Sequence, residues 1–382
     1  MSQRPVIAIV CDAIHPYSHG GRERRYQELL PWLAERAEVH IYTMHWWDGP
    51  REYTEGGIAY HAISPRLPLY TENRRSISHA LRFGLASLSL VRHKFDVLEA
   101  DHIPYLQVFV LRIVSLLKRK PFIVTWHEVW SRATWCEYLG WLGLIAWPIE
   151  WLAMRLPDLI IAASPQTAER LHRILGNNAQ VAVVPNGINI SDIRSVDADP
   201  VGTDLVVVGR LIGHKRVDMV LDVVAQLHAD GMHVTCRIIG DGPEWPRLRQ
   251  QAETLGIIQA IDFRRDVSEQ KELYALVKAG RLFMSLSTRE GFGIAVLEAI
   301  ACGVPVLTTG ASENFAQHLV ERYASGIVCE SSLEAVVAGT RKLLGDAGNR
   351  SVLAEEAADW VREYDWSALA ARLGNIYSLE GP

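Results

Sequence analysis

Short, largely apolar runs alternate with helical stretches, and the series runs twice. That double alternation limits the fold more than any other feature. Val6–Cys11, Val39–Thr43, Asp96–Ala100, Phe122–Thr125, Leu159–Ala163 and Val181–Val184 read as strands. A strand without polar alternation is buried on both faces, as in a parallel sheet covered by helices. The first intervening helix is expected from about Arg22 to Arg36, after Gly20-Gly21. The series pauses at Val184-Pro-Asn-Gly-Ile-Asn189, a turn signal, and the polar segment Ser191–Gly202 reads as a linker. It starts afresh with strands at Asp204–Arg210, His233–Gly240, Ile261–Arg264 and Leu282–Leu286, then Val304–Thr309 and Gly326–Cys329. Helices are expected at Val217–His228, Glu244–Leu255 and Glu269–Ala279, and late in the chain at Arg350–Arg362 and Trp366–Ser378. The expectation is an α/β chain with two Rossmann-like, doubly wound parallel-sheet domains, each binding ligand at its strand C-terminal ends. A length of 382 residues independently suggests two domains.

Composition removes several classes. Hydrophobic residues at 49% with 22% charge describe a globular chain, and a net charge of −5 gives no general attraction to nucleic acid. The five cysteines are scattered without a C-x-x-C pair, which fits reduced thiols in a cytoplasmic protein. Met-Ser-Gln-Arg-Pro-Val leads straight into a strand, without a signal-peptide pattern. Ile103–Leu117 is interrupted by Arg112, and Leu139–Met154 by Pro148 and Glu150. Both fall short of the ~18–20 clean apolar residues of a membrane span.

The chemistry concentrates in Ser285–Glu298. A strand, the glycines Gly291 and Gly293, and a helix from Ile294 form a unit that points backbone N–H groups and a positive helix end at an anion. Glu290 and Glu298 flank the turn, and a carboxylate can accept paired hydrogen bonds from vicinal hydroxyls. An ordinary strand-turn-helix with two solvated glutamates satisfies the same pattern. Arg210 and Lys215 follow the first strand of the second series, where two cations could clamp a diphosphate or remain solvated. Neither Gly240-Asp-Gly242 nor Gly291-Phe-Gly293 completes a dinucleotide fingerprint, so NAD and FAD are not expected. In the first series, Gly20-Gly21 opens a helix, and Asp101-His102 and Trp126-His127-Glu128 each end a strand. Such histidines either contact substrate or support the fold. There is no Ser-His-Asp order, H-E-x-x-H or metal-ligand spacing. Trp126, Trp130, Trp135, Trp141, Trp147 and Trp151 crowd one stretch, with Trp46-Trp47 earlier; from Arg66 to Lys120, ten Lys/Arg outnumber four Asp/Glu. This combination suits an aromatic core beside a solvated basic face, or an anionic membrane surface.

Taken in order, Gly20-Gly21, Pro185-Asn-Gly187, Gly209-Arg-Leu211, Lys215, Gly240-Asp-Gly-Pro243 and Glu290 to Glu298 resemble the retaining nucleotide-sugar glycosyltransferases of the family 4 type. The likeness spans nearly the whole chain. It implies the GT-B fold, with two Rossmann-like domains facing a central cleft: residues 1–190 for the acceptor and 200–364 for the donor. The last helix, within 365–382, would pack back on the first domain. It implies that Arg210 and Lys215 bind the donor diphosphate and that Glu298 holds the ribose. Glu290, with Gly291, Phe292, Gly293 and Ile294, would hold the donor sugar and phosphate. Gly242 would rim the same crevice. His127 matches the family's catalytic-site histidine, Gly21 matches the loop that closes on the donor, and Asp101, His102 and Trp126 would lie on the acceptor side. The implied reaction moves a hexose from a UDP- or GDP-linked sugar to a glycan or lipid-linked acceptor hydroxyl, with no metal or other cofactor and no nucleic acid. The implied location is cytoplasmic, peripheral to the inner face of the cell membrane. Three positions depart from the pattern: Asn189 replaces the usual Asp, Phe263 precedes Arg264-Arg265 near the base pocket, and Gly-Ala-Ser-Glu-Asn314 replaces Gly-Gly-x-x-Glu. A two-Rossmann nucleotide-sugar epimerase and a non-catalytic nucleotide-sugar-binding subunit are the alternatives.

Overall fold

The computed structural model describes residues 4–18, 20–71, 74–345 and 359–377. The helix expected at Arg350–Arg362 lies outside the described residues up to position 358. The chain divides into two units: residues to Asn186 together with the segment from Trp366, and Gly187–Asp365.

The first unit is built on an eight-stranded sheet. Its strands are β1 (Val6–Val10), β2 (Glu38–Met44), β3 (Glu52–Glu55), β4 (Ile58–Ser64), β7 (Val97–Asp101), β8 (Phe122–Trp126), β9 (Leu159–Ala162) and β10 (Val181–Val183). Their order is β10-β9-β8-β7-β1-β2-β4-β3, with β5 (Tyr70–Thr71) and β6 (Arg74–Arg75) forming a separate small hairpin. The main helices are α1 (Gly21–Ala34), α2 (Ile77–Ala86), α3 (Tyr105–Lys118), α4 (Arg132–Leu139), α5 (Gly143–Ala153) and α6 (Pro165–Leu175). Ile7, Ile9, Leu98, Val124 and Ile161 are fully buried, as the unbroken apolar runs require.

One expectation needs correction. The sheet is not wholly parallel, because β3 runs antiparallel to β4 at its edge. Gly56 and Gly57, both at positive φ, make the two-residue turn between them. An edge strand reading Glu-Tyr-Thr-Glu carries too little apolar signal to be found from composition.

The second unit holds β11 (Thr203–Val208), β12 (Cys236–Ile239), β13 (Ile261–Arg264), β14 (Gly280–Ser285), β16 (Val306–Thr309) and β18 (Gly326–Cys329). They lie in the order β13-β12-β11-β14-β16-β18, with every pairing parallel. Two short strands, β15 (Arg289–Glu290) and β17 (Glu313–Asn314), pair beside that sheet. Its helices are α7 (Ile190–Ser195), α8 (Val217–Ala229), α9 (Trp245–Thr254), α10 (Gln270–Lys278), α11 (Ile294–Ala301), α12 (Ala316–Arg322) and α13 (Leu333–Gly345). Helix α7 stands where a linker was expected. Asn189 caps it by accepting from the Asp192 amide at 3.0 Å, and Ile190 and Ile193 are buried. The capping role is one that Asp or Asn fills equally well, which accounts for Asn189 in place of Asp.

Reading the strands by sequence, the second sheet runs 3-2-1-4-5-6. Strand order reverses between β11 and β14, and a crevice opens beyond the C-terminal ends of such a pair. Gly240 shapes its rim. At φ +138°, with the Gly209 carbonyl 2.0 Å from where a Cβ would sit, only glycine lets the end of β12 approach the end of β11. In the first unit the same reversal falls between β1 and β7.

The last helix, α14 (Trp366–Ile376), belongs to the first unit and packs on α1, burying Trp366, Leu369 and Leu373. Tyr377, just beyond it, donates to buried Glu99 on β7.

Candidate functional site

In the second unit, the chain leaving β11 passes through Gly209 and Arg210 to a 3-10 turn at Gly213–Lys215. A small pocket forms there, lined by Gly209, Arg210, Lys215 and the segment Ser285–Ser287 at the end of β14. The Arg210 side chain is exposed and has no hydrogen-bond or ion-pair partner among the described residues. Lys215 instead forms an ion pair with Glu290, whose carboxylate also accepts from Ser287 at 3.4 Å. The Asp241–Gly242 loop is bonded to this segment through Leu211 N–H to the Asp241 carbonyl, 2.9 Å. Histidine 214 sits between the same groups. Burial, with the Arg289 and Lys215 charges, pushes it down to about 4, so it adds no charge near neutrality.

The Glu290 loop is held from two sides. Its strand pairs with Glu313–Asn314, the Phe315 amide donates to the Glu290 carbonyl at 2.9 Å, and Asn314 is anchored on the Thr309 carbonyl at 2.8 Å. That gives the unusual Glu313-Asn314 pair a structural task. Gly293 then adopts φ +92°, and a Cβ there would meet the Ala316 side chain at 2.6 Å. The conformation turns the chain sharply into α11, leaving the first N–H groups of that helix open to an anion. Glu298, on the fifth residue of α11, is buried at 4% exposure. Its Oε1 accepts from Gln270 at 2.9 Å and Tyr274 at 3.3 Å.

In the first unit, Asp101 ends β7 and accepts from His102 at 3.1 Å and from Arg22 at 3.0 Å. His127, just past β8, points its Nε2 at the same carboxylate, 3.7 Å away. Burial works against the Asp101 charge, yet the Arg22 charge and the bond from His102 hold its carboxyl well below the usual range. Burial pushes His127 down to about 3, with Asp101 only partly opposing, so the imidazole is neutral at physiological pH. Trp126 is fully buried against His102, ring centroids 4.9 Å apart, and so supports the strand end from within the core. Gly21 is the first residue of α1, adjacent to Arg22.

The structure therefore groups Arg210, Lys215, Gly242 and Glu290–Ile294 around the β11/β14 crevice, with Glu298 on the helix that starts there. It separately groups Asp101, His102 and His127 at the end of β7 and β8. The sequence reading missed Asp12, Arg22, Arg75 and His79. Arg75 pairs with buried Asp12, to which His79 Nε2 (3.5 Å) and Arg22 (3.6 Å) also point. Arg22 was findable beside Gly21. Arg75 and His79 were not, since only the fold carries them back to the end of β1.

Glu99 offers a check on this unit's electrostatics. Burial pushes its carboxyl up to about 7, against the bond from Thr125 and the charge of Arg25. A raised native value means that the folded chain holds the proton between the unfolded value and about 7. Glu99 thus contributes stability at low pH that is lost as pH rises through 7. Glu99→Gln stays neutral, so its stability relative to the parent should rise by roughly 2–3 kcal/mol between pH 5 and pH 8 in chemical denaturation. A difference that does not change with pH would show Glu99 ionised throughout.

Comparison with known proteins bears on both units. Residues 19–192 match the family described as Glycosyltransferase Family 4, and residues 192–360 match Glycosyl transferases group 1. The GDP-mannose-dependent alpha-(1-6)-phosphatidylinositol monomannoside mannosyltransferase of Mycolicibacterium smegmatis is 24% identical over 261 residues, 63% of this chain and 67% of its own length. Sucrose-phosphate synthase from Thermosynechococcus elongatus has a TM-score of 0.79 at 17% identity, covering 98% of each chain. Anabaena HepE, solved in complex with UDP-glucose, has a TM-score of 0.74 at 19% identity, covering 98% of this chain and 99% of that one. These structural likenesses show the fold, GT-B, with two Rossmann-like domains.

Proposed function

Because the chain belongs to the group 1, family 4 type glycosyltransferases, we propose that it moves a hexose from a nucleoside-diphosphate sugar to an acceptor hydroxyl, with retention at the anomeric carbon. The observation that carries this reading is the set of groups at the β11/β14 switch point. Two cations, Arg210 and Lys215, lie on one side, and the Glu290 loop leads into the open N-terminus of α11. Bond breaking at the sugar places negative charge on the departing diphosphate. Preorganised cations and a helix end stabilise that charge without further rearrangement.

Glu290 would exchange its contact with Lys215 for the donor sugar's hydroxyls, which releases Lys215 to the diphosphate. Glu298 would take the ribose hydroxyls. His127 keeps the catalytic role that the resemblance gives it, as a neutral hydrogen-bonding group. No carboxylate stands out as a nucleophile, so the acceptor oxygen is taken to attack on the face that the diphosphate leaves, and its proton passes to the departing phosphate oxygen. The diphosphate charge is met by side chains and helix, so no metal is required. A lipid-linked or cell-surface glycan intermediate is the proposed acceptor. The mycobacterial relative named for a phosphatidylinositol mannoside supports that class. UDP and GDP remain the two donor nucleotides, in line with that relative and with the UDP-glucose complex of HepE.

A thermal-shift panel of UDP, GDP, ADP and their sugars, followed by transfer assays with the stabilising donor, tests this. One uridine or guanosine sugar should raise the unfolding temperature and yield a glycoside whose anomeric configuration matches the donor by NMR, at a rate that EDTA leaves unchanged. An inverted product, a product epimerised at the sugar's second carbon without acceptor, or loss of the rate in EDTA would each refute a stated part.

A further inference from the structure

Fifteen of the nineteen large apolar side chains exposed among the described residues fall between Ile77 and Leu152. They are not scattered within that stretch. Helix α2 turns Ile77, Leu81 and Leu85 outward, 59%, 50% and 64% exposed, at the four-residue spacing of a single helical stripe. Helix α3 presents Ile113, Leu116 and Leu117, and α5 presents Ile145, Trp147, Trp151 and Leu152. Helix α2 packs on α3, and α3 on α5, so these stripes lie side by side within the first unit. The tryptophan-rich stretch is split by the fold. Trp126 and Trp135 are buried, whereas Trp141, at 72% exposure, stands out beside α5. A surface helix of a water-soluble unit ordinarily turns its polar side outward, and these three do the opposite.

The charge on this layer has one sign. Arg82 on α2, Arg92 and Lys94 at the end of the following 3-10 turn, and Arg119 at the α3 C-cap are all exposed. None has an ion-pair partner among the described residues. Arg155, just past α5, lies over the Trp151 ring at 3.5 Å. The sole carboxylate on α2, the 3-10 turn, α3 and α5 is Glu150, which is buried and bonded to the Trp130 amide and the Trp135 indole. A second copy docked through a two-fold axis would set these unpaired cations against one another, which disfavours a dimer through this face. No helix among the described residues is long and apolar enough to cross a membrane. Apolar side chains beside tryptophans and unpaired arginines instead match the headgroup layer of an anionic leaflet.

We infer that the α2–α3–α5 face of the first unit docks in the plane of an anionic bilayer, with Trp141 and the apolar stripes in the headgroup region and Arg82, Arg92 and Lys94 against lipid phosphates. This extends the lipid-linked acceptor reading but is tested without it, since vesicle binding is scored with no donor present. The full chain should co-sediment with mixed phosphatidylcholine/phosphatidylglycerol vesicles and not with phosphatidylcholine alone, and high salt should weaken the binding. The R82Q/R92Q/K94Q variant should lose about a hundredfold in partitioning, at roughly fivefold per cation. The W141S/I145S/W151S variant should lose binding with an unchanged circular-dichroism spectrum. Absence of binding, equal binding by the variants, or equal binding to neutral vesicles overturns the inference. So does a stable dimer that L81S/I113S converts to monomer and that does not bind vesicles.

Discussion

Arg210→Ala lowers kcat/KM for the sugar donor roughly a hundred- to a thousandfold, the cost of removing one donor group aimed at developing charge. The chain's unfolding temperature stays where it was. The second half of that expectation follows from the side chain's surroundings, because Arg210 is exposed and holds no other residue in place. Its neighbour is a poorer probe. Lys215→Ala also strips Glu290 of its ion-pair partner, so any loss of turnover mixes the diphosphate contact with release of the Glu290 loop. Steady-state kinetics with Arg210→Ala and Arg210→Lys separates charge from geometry. Lysine should restore part of the rate, since it supplies a cation without the bidentate fork. An alanine variant within threefold or so of the parent would take Arg210 out of the diphosphate site.

Glu298→Ala raises the dissociation constant for the nucleoside diphosphate about ten- to a hundredfold, the range for a hydrogen bond to a charged group. The acid is 4% exposed and accepts from Gln270 and Tyr274, so truncation also takes an acceptor from two donors. A stability loss of about 1–3 kcal/mol should accompany the binding defect. Tyr274→Phe removes one of those donors and keeps the acid. It should bind nucleotide within severalfold of the parent, which separates positioning from contact. Calorimetric titration with UDP and GDP provides the measurement. A Glu298→Ala chain that binds as tightly as the parent would leave the ribose without this partner.

The inner strands of the second sheet were legible because their central residues, among them Leu205–Val207, Ile238–Ile239 and Leu282–Met284, are buried and apolar. The edge strands at Ile261–Arg264 and Gly326–Cys329 are only part-buried, yet Ile261, Phe263, Ile327 and Val328 keep an apolar signal, and both occupy the residues expected of them. Strand β3 and helix α7 were missed for the converse reason. An edge strand faces water and reads as polar, and two isoleucines three residues apart inside Ser/Asp/Arg carry little helical signal. The candidate site divides the same way. Glu290, Gly293 and Glu298 lie in one continuous stretch, so local spacing found them together. Arg75 and His79 meet Asp12 across more than sixty residues of sequence, where spacing carries no information.

What the sequence determined by itself is local: which segments are strands or helices, where a glycine turn meets a helix start, and which acids flank it. Those properties depend on backbone preference and on the period of burial, and both act over a few residues. Tertiary structure alone decided the strand order, and with it the crevice between β11 and β14. It also decided that Lys215 pairs with Glu290, and which tryptophans of one crowded stretch enter the core and which meet solvent. Each of these depends on which elements become neighbours, and that choice is made by the packing energy of whole surfaces rather than by any one segment.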